Sequence, residues 1–174
     1  MKVGILTISD KGSRGEREDT SGPALKKMLA GIKAEVVQYR IVPDEKEAII
    51  QTLKEWSDQG LHLILTTGGT GFSPRDNTPE ATLAVIEKSA PGISEAIRFH
   101  GLKKTPRAML SRAVAGIRRQ TLIVNLPGSE KGARESLEAI IEVLPHAVET
   151  IRGLASECAA PFQGGQEKPR RHRN

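Results

Sequence analysis

Apolar residues along this chain follow two spacings that alternate. Val3-Gly-Ile-Leu-Thr-Ile8 is a nearly continuous apolar run of strand length, as expected of a strand buried on both faces. Glu35–Val42 forms a second such run, stopped by Pro43, and Leu61–Thr67 a third that leads straight into Gly68-Gly-Thr-Gly71. Between them the spacing changes to that of a helix. Thr20 or Ser21 can cap a helix with Pro23 in its first turn and Gly31 at its end. Ile49, Ile50, Leu53 and Trp56 recur at helical intervals from Glu45 to Gln59, and Gly60 supplies the stop. Asp10–Asp19 reads as a polar loop.

Beyond the glycines the pattern predicts helices over Pro79–Ser89 and Ile93–Lys103, with a shorter one around Ala108–Ala113. Val114–Arg119 and Thr121–Leu126 are β-like runs joined by a tight polar turn, a pairing suited to antiparallel strands. Pro127-Gly128-Ser129 opens a last helical region reaching about Gly153. Strands alternating with helices predict an α/β protein, a three-layer α/β/α sandwich whose mostly parallel sheet carries one antiparallel strand. A single domain over residues 1–155 is expected, with residues 156–174 as a basic, flexible tail.

Aromatic residues are only 3% of the chain, so the core must be aliphatic, and a base-stacking surface for single-stranded nucleic acid is not expected. The net charge of +5 does not change that. Lys168, Arg170, Arg171 and Arg173 stand against Glu167 in the tail and carry most of the excess. Cys158 is the single cysteine, which excludes an intramolecular disulfide or a cysteine metal cluster. The apolar run at Val3–Ile8 is too short for a signal peptide, and no stretch approaches a membrane span; the cytoplasm is the expected compartment.

The unusual residues follow strands. Ser9-Asp10 comes after the first, Pro43-Asp44 after the second, Gly68–Asp76 after the third and Pro127-Gly128-Ser129 after the last. If those strands are parallel, the four segments meet at the carboxyl edge of the sheet, where open α/β folds bind ligands. Thr67, Gly68, Gly69, Thr70 and Gly71 can wrap backbone N–H groups around a phosphate, helped by the dipole of the helix beginning near Pro79. A plain tight turn fits the same residues. No Gly-Lys-Ser/Thr follows, and the dinucleotide pattern Gly-x-Gly-x-x-Gly is absent. Asp44 and Asp76 offer the one or two carboxylates that magnesium needs beside phosphate oxygens. Alone, Asp44 reads as a helix cap and Asp76 as a turn residue; together with the glycine loop they read as a metal pair. Arg75 is either a phosphate donor or the partner of a surface acid. Ser129 can cap the last helix, donate to a ligand, or both. His62, His100, His146 and His172 share no ligand spacing.

Thr66-Thr-Gly-Gly-Thr-Gly71, Arg75-Asp-Asn-Thr-Pro-Glu80, Pro91-Gly-Ile-Ser-Glu95 and Leu126-Pro-Gly-Ser129 together resemble the MogA/MoaB family of molybdenum-cofactor biosynthesis proteins. Gly4–Asp10 and Val42-Pro-Asp44 match as well, so the resemblance spans roughly residues 2–155; Asn77 departs from the small aliphatic residue usual there. The resemblance implies a MogA-like molybdopterin-binding fold. It implies adenylylation of molybdopterin by Mg2+ and ATP, with pyrophosphate released. It further implies Asp44 and Asp76 as the functional and metal-binding acids, and Gly68–Gly71 and Pro127–Ser129 as ligand-binding segments. A homotrimer, in some members a hexamer, and a downstream molybdenum-insertion protein complete the expectation. A MoaB-like molybdopterin-binding protein without transfer activity is the alternative, but a mere carrier needs no pair of metal-binding acids.

Overall fold

The computed structural model describes residues 1–154; Cys158 and the 156–174 tail lie outside the described residues. Strands β1 (Lys2–Ile8), β2 (Glu35–Val42), β3 (Leu63–Thr67), β4 (Lys88–Ser89), β5 (Ala115–Arg118) and β6 (Thr121–Leu126) form one sheet in the order β2-β1-β3-β6-β5-β4. β1 pairs in parallel with β2 and β3, and β3 in parallel with β6. β5 is antiparallel to both of its neighbours, so it is the single reversed strand among the described residues. The five longer strands and the reversed one among them are those the hydrophobic pattern predicts, and the order in which β1 sits between β2 and β3 sends successive crossovers to opposite faces.

The helices are α1 (Asp10–Ser13), α2 (Ser21–Leu29), α3 (Lys46–Asp58), α4 (Thr78–Leu83), α5 (Pro91–Leu102), α6 (Glu130–Glu138) and α7 (Leu144–Ile151). Alternate strand residues feed two separate cores. Val3, Ile5, Leu63, Leu65, Leu122 and Val124 pack with side chains of α2, α5, α6 and α7. Leu6, Ile8, Ile64 and Ile123 pack on the other face with Ile49, Leu53 and Trp56 of α3 and Ala81 of α4. Period-two alternation with apolar residues at both phases is what a central sheet covered on both sides requires.

Several boundaries differ from the pattern-based expectation. The helix predicted over Pro79–Ser89 ends at Leu83, because Lys88 and Ser89 pair with Ile117 and Gly116 of β5. Flanking bonds from Glu87 N to Ile117 O (2.7 Å) and Ala90 N to Ala115 O (2.9 Å) hold that edge. The segment around Ala108–Ala113 is instead a 3-10 turn over Pro106–Leu110 that then runs extended. The last helical region breaks after Glu138 and resumes at Leu144, where Pro145 lies in the first turn of α7 and has no N–H for a continuous ladder. α2 leaves through a 3-10 turn, Ala30–Ile32, and the left-handed residue is Lys33 (φ 54°) rather than Gly31. Part of the supposed polar loop is the short helix α1, capped by Ser9, whose Oγ accepts from Gly12 N.

Candidate active site

The four chemistry-bearing segments do meet at the carboxyl edge. β1 and β2 end side by side, and their following loops exchange bonds: Asp10 N donates to Asp44 Oδ2 (2.8 Å), and Asp44 N to Asp10 Oδ1 (3.0 Å). Asp44 is therefore not a helix cap. Glu45 holds the N-cap position of α3 with no side-chain cap bond, and the Asp44 carboxylate reaches across to the next loop. β3 and β6 are likewise stitched beyond their last pairs, by Gly68 N to Leu126 O (3.1 Å) and Thr67 Oγ1 to Pro127 O (2.7 Å).

Gly68 and Gly69 have φ of 108° and 62°, conformations that side-chain-bearing residues rarely adopt. The space is closed as well, since a β-carbon at Gly68 would overlap Ile8 O and one at Gly69 would overlap Thr78 Oγ1. Thr78 Oγ1 itself donates to Gly68 O (2.8 Å), and Thr78 N to Gly69 O (3.1 Å), so α4 begins docked against the loop. Gly68 spends its N–H on the sheet. Among the described residues no protein acceptor takes the N–H of Gly69, Thr70, Gly71, Gly128 or Ser129. Successive unclaimed amides on two facing loops are the composition of an anion nest. α4 has only six residues, so its dipole adds little to these N–H groups.

Asp76 closes a turn, with its N donating to Ser73 O (2.9 Å) and its Oδ2 accepting from Ser73 N (3.0 Å). Gly71 permits that approach, because a β-carbon there would lie 2.9 Å from Asp76 Oδ2. Arg75 pairs with acids: its guanidinium donates to Asp10 (2.8 and 3.1 Å) and to Glu45 (2.9 Å). It ties the third loop to the first two, and a ligand phosphate would have to compete with those carboxylates. Ser129 caps α6, its Oγ accepting from Gly132 N (3.2 Å), which leaves the hydroxyl hydrogen for another acceptor.

The electrostatics of the edge are uneven. Burial pushes the Asp44 carboxyl above its ordinary value, and the charges of Asp10 and Asp76 add to that, against the Asp10 N–H and Arg75. Asp10 is held below its ordinary value by the Arg75 guanidinium and the Asp44 N–H. Among the described residues no three His, Cys, Asp or Glu side chains form a ready-made metal cage. Magnesium does not require one. A donor set of Asp44 and Asp76, each with one oxygen not engaged by a backbone N–H, beside a loop for phosphate oxygens, fits its preference for few carboxylates plus ligand oxygens and water.

Two cavities flank the glycine loop. One of about 460 Å3 opens on the side of Ser9, Asp44, Gly69 and Gly128. The other, about 310 Å3, lies against Gly71, Ile97, Ala108, Leu110 and Pro127 and is largely apolar. Asp19 on the wall of the first was not singled out by the motifs. Burial alone would raise its carboxyl, yet donors from Thr7 (2.6 Å), Tyr39 (2.6 Å), Ser21 and Gly22 hold it below its ordinary value. It takes the capping role expected of Thr20 or Ser21, and its place just before a periodic apolar run was the signal available. Arg112 was also missed, and nothing in its sequence neighbourhood marks it. His62 Nδ1 accepts from Lys2 N, far from this edge, and His100 lies 3.8 Å from Glu138 on α6.

Fold and site define a class: an open α/β domain with an amide-lined, acid-flanked cleft at the carboxyl edge of its parallel strands. The family described as "Probable molybdopterin binding domain" matches residues 4–146, and the chain belongs to that family. It is 44% identical over 156 residues to the molybdopterin adenylyltransferase of Helicobacter pylori strain J99, covering 88% of this chain and 89% of that one. It is 46% identical over 173 residues to the molybdenum cofactor synthesis protein cinnamon of Drosophila melanogaster, of which it spans only 29%. The crystal structure of the molybdopterin biosynthesis enzyme MoaB from Thermus thermophilus is 57% identical, superposes with a TM-score of 0.84, and shares 87% of this chain and 96% of its own. The expected fold is thus the observed one.

Proposed function

We propose that this chain is a molybdopterin adenylyltransferase, which joins the AMP moiety of ATP to the terminal phosphate of molybdopterin and releases pyrophosphate. The observation that carries it is the nest at Gly69–Gly71 and Gly128–Ser129, set between two cavities, with Asp44 on the wall of one and Asp76 against Gly71. A reaction joining two phosphorylated molecules needs two pockets that open onto one phosphate-binding loop. A carrier of one pterin needs a single pocket.

In the transfer, an oxygen of the molybdopterin phosphate forms a bond to the α-phosphorus of ATP, and the bond to the bridging oxygen of pyrophosphate breaks. The attacking oxygen is already ionised at neutral pH, so no side chain has to remove a proton. The protein's tasks are alignment and offsetting negative charge. The N–H groups of Gly69, Thr70 and Gly71 are set to meet phosphoryl oxygens without reorganisation, because Leu126 and Thr78 pin the loop at Gly68 and Gly69 and Arg112 pins it at Thr70 and Gly71. Gly128, Ser129 and the carbonyl of Pro127, fixed by Thr67, form the opposite wall. The apolar cavity beside Ile97 and Leu110 suits a flat heterocycle. Asp44 and Asp76 would hold Mg2+, which when bound supplies charge neutralisation at the transferring phosphate. Arg75 keeps Asp10 neutralised beside Asp44, so the rim does not accumulate unopposed carboxylates.

Action in the cytoplasm, assembly as a homotrimer or hexamer, and delivery of the product to a molybdenum-insertion protein belong to the same proposal. Among the described residues no helix is long and apolar enough to cross a membrane. The test is incubation of the protein with molybdopterin, ATP and Mg2+, followed by mass spectrometry of the pterin and assay of pyrophosphate. Adenylylated molybdopterin with stoichiometric pyrophosphate is expected. Tight molybdopterin binding without either product would make the chain a carrier.

A further inference from the structure

The loop that carries Asp76 has little apolar anchorage of its own: it runs from Gly71 to Asn77, and Phe72 on it is 66% exposed. Its order comes from a residue distant in sequence. Arg112, just after the 3-10 turn at Pro106–Leu110, meets this loop and both of its flanks with its backbone N–H and its guanidinium. Its backbone N donates to Thr70 O (2.9 Å). Its Nε donates to Gly71 O (2.7 Å), and one terminal nitrogen to Asp76 O (2.6 Å). The other terminal nitrogen pairs with Glu80 Oε1 on α4. One planar guanidinium thus spans the start of the loop, its end and the helix that follows. A fork of fixed geometry can do this and a single ammonium cannot.

From this geometry we infer that Arg112 is a positioning residue for the transfer reaction: it holds the Gly71–Asp76 loop so that the Asp76 carboxylate keeps its place beside Asp44 and the glycine loop. The inference rests on the proposed function. Arg112 lines neither of the two cavities beside the glycine loop; it acts through the backbone carbonyls of Gly71 and Asp76. Without it, the Gly71 and Asp76 carbonyls lose their donors, and Asp76 is left held to the protein chiefly by its own turn with Ser73.

The test compares wild type with Arg112→Lys, and with Arg112→Ala where that variant folds. Hydrogen–deuterium exchange without ligands, Mn2+ titration in the presence of ATP followed by electron paramagnetic resonance, and adenylylation kinetics are read on the same samples. For Arg112→Lys, faster exchange confined to residues 71–77 is expected. Mn2+ affinity and kcat should each fall about 10–100-fold, as when the support of a metal ligand is removed. KM for molybdopterin should stay within about twofold, because Thr78 still holds Gly68 and Gly69 and the backbone bond from residue 112 N to Thr70 O survives the substitution. Unchanged exchange in the loop overturns the inference, and so does faster exchange across the whole chain, which would make Arg112 a general support of the fold. Loosened loop amides with unaltered Mn2+ affinity and kcat overturn it too. The first two measurements need no molybdopterin. A wild type that transfers no AMP, yet loses Mn2+ affinity on Arg112→Lys, removes the proposed function while supporting the positioning role. A wild type that binds Mn2+ no better than Asp76→Ala sinks the inference itself.

Discussion

Asp44 sits in an electrostatically costly place, partly buried and facing two other acids, and that cost marks it as a residue kept for a purpose other than stability. A carboxyl whose pKa is higher in the folded than the unfolded state favours folding below its unfolded pKa. It loses that contribution as pH rises through the folded value. At neutral pH the ionised Asp44 therefore opposes folding. Asp44→Asn, which preserves an acceptor for Asp10 N, is expected to raise the melting temperature at neutral pH, with the gain shrinking toward mildly acidic pH. The same variant should lose AMP transfer; a lower melting temperature at neutral pH would show that the carboxylate is a net structural support. Asp76→Ala is expected to abolish transfer while molybdopterin still binds, and a near wild-type rate would reduce Asp76 to the turn residue it also is. For Gly69→Val, the left-handed φ and the overlap with Thr78 Oγ1 predict weaker binding of the phosphorylated pterin. They also predict a stability loss of roughly 1–3 kcal/mol, read by urea denaturation.

At the level of elements, the site depends on how β3, β6 and α4 are locked behind it. Asn125 is fully buried on β6; its side-chain nitrogen donates to Thr66 (3.0 Å) and Thr82 (2.9 Å), and its Oδ1 accepts from Val114 N (3.3 Å). One side chain thus joins β6 to β3, to α4 and to the approach of β5. Asn125→Ala would bury the Val114 N–H and two threonine hydroxyls with fewer partners, a loss of roughly 1–3 kcal/mol by urea denaturation. Substrate affinity should suffer through α4 and the loop it supports, and a stability change under a few tenths of a kcal/mol would mean water replaces the amide.

For the whole molecule, the basic end of the chain sets a different kind of prediction. Residues 159–174 carry no apolar periodicity to dock them, and they lie past the family match, which ends at residue 146. Removing them is expected to leave activity and assembly intact. If Lys168, Arg170, Arg171 and Arg173 instead draw in anionic substrates, the truncated protein will show a lower kcat/KM at low salt and a normal one at high salt, since screening removes steering. Loss of the oligomer on truncation would contradict a passive tail.

The sequence alone determined the order of the main strands and helices, the parallel character of the sheet and the edge where the candidate site lies. Each of these follows from local information: the period of apolar residues, and the positions of Gly, Pro and Asp after strands. Gly68 and Gly69 were legible for the same reason, since a left-handed turn must be written in the residues that make it. Tertiary structure alone decided what distant groups do to one another. Lys88-Ser89 is a strand because β5 offers it an edge, against a helical pattern. Arg75 is paired with Asp10 and Glu45, and Asp44 bonds across to Asp10 rather than capping its own helix, because the loops after β1, β2 and β3 end at one level. Arg112 reaches Gly71 and Asp76 from far along the chain, and no periodicity or motif records a bond between a side chain and a remote carbonyl.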